Sequence, residues 1–105
     1  MSNQILINYE EVYNKTAEQR QRIQSELAEL DAVYRRCQAD LQSMDGRAYA
    51  EFVEVLSQNR MKAHVTAEVL TNLLQFIALS AKQIEQDEIK LKTMFNATVA
   101  KRQPE

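Results

Sequence analysis

The feature that most constrains this chain is its lack of punctuation: 105 residues contain one glycine, Gly46, and one proline, Pro104. Strands need turns, and turns draw heavily on Gly and Pro. A chain with almost none, rich instead in Ala, Leu, Gln, Glu, Lys and Arg, has helix as its favoured local structure nearly everywhere. The class expected is all-α. At this length one domain is expected.

Hydrophobic spacing divides the chain into two helices. Asn8 can cap a first helix, with Glu10 and Glu11 placed in the first turn, where negative charge suits the helix dipole. Around it Leu6, Tyr9, Tyr13, Thr16, Arg20, Ile23, Leu27, Leu30, Tyr34, Cys37, Leu41 and Met44 alternate spacings of three and four, a heptad seam with Thr16 and Arg20 as polar interruptions. A second seam runs through Phe52, Leu56, Asn59, Ala63, Thr66, Leu70, Leu73, Ile77, Ser80, Ile84, Asp87, Leu91 and Met94. Beside it lies another stripe, Val65, Val69, Phe76 and Leu79, which makes the apolar arc of helix two wider than one partner helix can cover.

These spacings predict helix one over about 8–44, a turn at 44–47, helix two over about 47–96 and a frayed tail at 97–105. Gly46 is expected to leave helix one through a left-handed backbone, with positive φ. A turn this short makes the helices antiparallel neighbours. A two-helix rod has little interior, so the hairpin is expected to be completed to a four-helix bundle by a partner, with Val65, Val69, Phe76 and Leu79 at that interface.

Several function classes fall away. A net charge of −2, with acidic and basic residues intermixed, argues against nucleic acid. The longest apolar run, LLQFIALSA at 73–81, is half a membrane span. The stretch MSNQILINYEEVY lacks a basic region followed by an apolar one, so no Sec signal peptide is expected. No nucleophile with a neighbouring base and no phosphate loop can be found, so no enzymatic activity is expected. His64 is the sole histidine and Cys37 the sole cysteine; neither has metal-ligand spacing around it, so no metal or cofactor is expected. Cys37, on the seam, reads as a small buried apolar residue.

With the hairpin laid out, two short motifs resemble a known family. The stretch Met44-Asp45-Gly46-Arg47-Ala48-Tyr49-Ala50-Glu51-Phe52 is similar to the turn of the WXG family, the small ESAT-like substrates of type VII secretion systems, with methionine in place of its tryptophan. IEQDEIKLKTMF supplies the family's C-terminal export pattern as Ile84, Glu88, Leu91 and Phe95. The missing tryptophan resembles a subgroup of small helical proteins that target larger LXG toxins.

The resemblance implies a non-enzymatic protein, cytoplasmic before export and then secreted or at the cell surface by a Sec-independent route. Its implied partners are a helical hairpin (an LXG-domain toxin, a WXG-like protein or a second copy) and the type VII secretion ATPase, which would read the export pattern. It would travel as cargo or as escort. The alternative is a cytosolic coiled-coil adaptor or chaperone of another secretion system.

Overall fold

The computed structural model describes residues 7–102. It is an antiparallel helical hairpin: α1 spans Tyr9–Asp40, a single 3-10 turn follows at Leu41–Ser43, and α2 runs unbroken over Gly46–Arg102. There is no strand among the described residues.

Local chemistry sets each end. The Asn8 side-chain oxygen accepts the Glu11 N–H at 3.0 Å, and Glu10 and Glu11 fill the first turn. α1 stops at Asp40, four residues earlier than the seam suggests, because the chain tightens into the 3-10 turn and the Met44 N–H then closes on the Leu41 carbonyl at 3.0 Å. Met44 is extended, with φ −77° and ψ 161°, and this residue makes the bend. The Asp45 carbonyl next accepts the Tyr49 N–H at 2.8 Å, opening α2.

Gly46 therefore corrects the expectation from sequence. No described residue has positive φ, glycine included, and Gly46 is the first helical residue of α2. A 3-10 turn followed by one extended residue reverses the chain without any left-handed position. A Cβ added at Gly46 would meet nothing within 4 Å, so close packing does not require glycine here either.

At its far end α2 continues to Arg102, past the expected limit near 96, since no helix breaker precedes Pro104 and Lys101 and Arg102 suit the negative end of the dipole. Of the expected tail, 97–102 is helical and 103–105 lies outside the described residues. Leu6, which would begin the first seam, also lies outside them.

The molecule measures 92 × 20 × 20 Å. The long dimension is that of α2, whose 57 residues rise about 86 Å at ~1.5 Å each. Such a rod has hardly any interior. Ala67, 7% exposed, is the one buried apolar side chain among the described residues, and Thr16, 6% exposed, the one buried polar one. Thr16 satisfies itself, its hydroxyl donating to the Val12 and Tyr13 carbonyls at 2.9 and 3.0 Å. The accessible surface is 9038 Å², against about 6,100 Å² for a compact protein of 12.2 kDa.

On α1 the inward residues include Tyr9, Tyr13, Thr16, Arg20, Ile23, Leu27 and Tyr34, all buried or half-buried. Cys37 departs from expectation: α1 ends one turn beyond it, and the thiol is exposed.

On α2 the inward stripe differs from the one the hydrophobic pattern favours. Val53, Leu56, Ala63, His64, Ala67, Thr71, Leu74, Ala78, Ala81 and Glu85 are buried or half-buried, whereas Phe52, Leu70, Leu73, Ile77, Ile84, Leu91 and Met94 of the expected seam are exposed. Four of these inward positions, Ala63, Ala67, Ala78 and Ala81, carry small side chains, while most of the large apolar side chains of α2 turn outward.

Candidate interaction surface

Two grooves run along the hairpin, and they are chemically unlike. One is lined by Ile23, Leu27 and Leu30 of α1 with Ala63, Thr66, Ala67 and Leu70 of α2, and Glu26 stands on its rim. The other is lined by Gln24, His64, Glu68, Thr71 and Asn72 around the same Leu27 and Ala67. The apolar groove leads directly onto the outward face of α2. Leu70, Ile77, Ile84 and Leu91 recur there every seven residues, and the second stripe lies further round at Val65, Val69, Phe76 and Leu79. Phe76 is 66% exposed and Val69 60%. Exposed apolar side chains are thus concentrated on the side of α2 that α1 does not occupy.

Polar contacts fix the register beneath it. Asp31 of α1 accepts from Arg60 Nε at 2.8 Å and lies 2.8 and 3.0 Å from His64 Nε2, so a single carboxylate ties two successive turns of α2 to α1. The hydrogen bond to His64, and then that to Arg60, holds the Asp31 carboxyl below the usual carboxylate range. Near the start of α1 the Tyr13 hydroxyl donates to Glu85 at 2.8 Å. Burial, followed by that carboxylate, raises the Tyr13 pKa. One turn away the Tyr9 hydroxyl is buried without a well-aligned hydrogen-bond partner. Burial first, and then the neighbouring Glu88 carboxylate, pushes its pKa up to about 12. Arg20 Nε and Thr71 Oγ1, also on the inward seam, are likewise buried without a hydrogen-bond partner.

The residues singled out from sequence take the following places. Met44 is half-buried in the bend and Gly46 is exposed at the start of α2. Ile84, Leu91 and Phe95 are 47%, 65% and 68% exposed and share one side of α2; Glu88 sits at the edge of that side turned toward Tyr9. Glu88 is thus level with the beginning of α1, and α2 goes beyond α1 only from about Ile89. The Asp31, Arg60 and His64 cluster went unnoticed in the sequence. Its signal was there: Arg60 and His64 stand four apart on one face of α2, at the height that an antiparallel register assigns to Asp31.

No group of three metal-ligating side chains occurs among the described residues, and no described helix is long and apolar enough to cross a membrane. The class the geometry defines is a helical hairpin with one uncovered apolar side. Comparison with known protein families, with curated proteins and with solved structures finds no match to this chain.

Proposed function

We propose that this protein is a non-enzymatic partner protein of a type VII secretion system, which pairs with another helical hairpin such as the LXG domain of a toxin and contributes a C-terminal export signal. The observation that carries the reading is the apolar side of α2, which begins within the hairpin and continues past the start of α1 with no second layer over it among the described residues. A covering hairpin would turn two exposed helices into a bundle with an interior. On this reading the stripe of Ile84, Leu91 and Phe95 serves twice, as the end of the pairing face and as the signal read by the secretion ATPase, with Glu88 as the charged contact. The protein is then cytoplasmic before export and reaches the outside by a Sec-independent route.

The test is secretion of a Glu88→Ala, Phe95→Ala variant in the native host. Wild-type cellular level and partner binding with secretion abolished is the expected result. Secretion at the wild-type level removes the export pattern from the reading.

A further inference from the structure

Charge is segregated along the rod. Residues 1–88 carry nine Lys or Arg against fourteen Asp or Glu, a net charge of −5, whereas 89–102 carry Lys90, Lys92, Lys101 and Arg102 and no acidic residue at all. The boundary coincides with a structural one. α1 begins at Tyr9, beside Glu88, so the basic stretch is the part of α2 that α1 does not accompany. It is nonetheless helical to Arg102, about 21 Å at ~1.5 Å per residue that no other described helix accompanies.

This overhang is amphipathic. At about 100° per residue Leu91, Met94, Phe95 and Val99 share one side, with Lys90 and Lys101 along one flank, Lys92 on the other, and Arg102 closing the apolar stripe at its C-terminal end. Leu91 is 65% exposed, Met94 59% and Phe95 68%. The apolar side does not begin at the overhang. It continues the seven-residue spacing of Leu70, Ile77 and Ile84, so whatever covers the hairpin's outward face reaches the overhang without changing register.

We propose that the overhang docks an acidic amphipathic helix of a protein partner, with the apolar stripe in the centre and the partner's carboxylates against Lys90, Lys92, Lys101 and Arg102. The proposal rests on the reading of α2's outward side as a partner surface and is independent of secretion. Two features favour a helix over an anionic lipid surface. The heptad spacing fits a helical occupant. In addition α2 has neither Gly nor Pro between Arg47 and Arg102, so it offers no bend at which the overhang could lie on a membrane while the net −5 body turned away from it.

The experiment uses the full chain and two synthetic 21-residue helical peptides with Leu at heptad a and d positions, one carrying Glu and the other Lys at e and g. Binding is read by fluorescence anisotropy. The Glu peptide should bind at least tenfold more tightly than the Lys peptide at low salt, with the preference collapsing at high salt. A Lys90→Gln, Lys92→Gln, Lys101→Gln, Arg102→Gln variant, checked for helicity by circular dichroism, should bind both peptides alike; the corresponding Glu variant should prefer the Lys peptide.

Equal binding of both peptides to the wild-type chain, or binding of neither, overturns the proposal. So does binding to phosphatidylserine vesicles without binding to the Glu peptide. If the overhang variants change nothing while Glu substitutions at Val69 and Phe76 abolish pairing, the overhang proposal fails and the pairing surface stands.

Discussion

Gly46→Ala distinguishes the bend observed from the bend that a lone glycine suggests. Gly46 sits in the first turn of α2 with φ outside the left-handed region, and a methyl group there meets no atom within 4 Å. The substitution therefore adds no strain to the folded state, while it narrows the conformations open to the unfolded chain, an effect of about 0.4–1 kcal/mol in favour of folding. Unfolding entropy of ~2.1 cal/mol/K per residue amounts to about 0.22 kcal/mol/K for this chain, so the midpoint should rise by about 2–5 °C. Thermal denaturation followed by circular dichroism at 222 nm measures it, with concentration held fixed because pairing would also move the midpoint. Had Gly46 been left-handed, Ala would cost stability and Val about 1 kcal/mol or more. A midpoint that falls by several degrees in the Ala variant refutes the argument and restores the left-handed turn.

Glu substitutions at Val69 and Phe76 together should leave a helical protein with nearly unchanged melting, because both side chains point away from α1; association should weaken by about two orders of magnitude or more, since burying a Phe alone is worth about 1.5–3 kcal/mol. Co-purification from the native host reads the association, and loss of helicity in the variant would place the stripe in the hairpin's own core. Asp31→Ala should lower the melting temperature at pH 7. The folded Asp31 pKa lies below its unfolded value, so its contribution is present above about pH 4 and lost as pH falls through the folded pKa; the two proteins should converge in acid, and a difference that persists there would exclude the carboxylate as its cause. Tyr9, with a pKa near 12, should be the last tyrosine to ionise in an ultraviolet titration. Its folded pKa is the higher one, so the stability it lends holds below pH ~10 and is lost between ~10 and 12; Glu88→Gln should bring the late transition down, and no movement would detach Glu88 from Tyr9.

Much of the fold could be read from sequence because helix one has a single apolar stripe. Tyr9, Tyr13, Thr16, Ile23, Leu27 and Tyr34 have no rival face, and they turn inward. Helix two has rivals. Periodicity reports where apolar residues recur, and on α2 they recur most strongly on the side that α1 does not occupy; the inward stripe has Val53, Leu56 and Leu74 but is otherwise filled by Ala63, Ala67, Thr71, Ala78 and Ala81, whose small side chains carry little hydrophobic signal. Gly46 was misleading for a related reason. A glycine permits a left-handed residue but does not require one, and the 3-10 turn before Met44 had no signature as loud as the glycine beside it. The pattern of exposure was legible in part: the excess of apolar stripes on helix two was visible, and the stripe expected to face a partner is exposed, but so is most of the stripe expected to face α1. The pairing of Asp31 with Arg60 and His64 needed the register, which the sequence leaves open until the turn is placed.

The shape of the hairpin also governs how it moves through solvent. Its radius of gyration is 25.0 Å, nearly twice the ~13 Å of a compact domain of the same length. A particle 92 Å long and 20 Å across drags far more water than its 12.2 kDa would suggest and tumbles end over end more slowly than a sphere of that mass. On a column calibrated with globular standards a lone hairpin will elute early, at the position of a larger assembly. Retention volume therefore reports elongation for this protein, and only a mass-sensitive method such as light scattering or sedimentation equilibrium counts its chains.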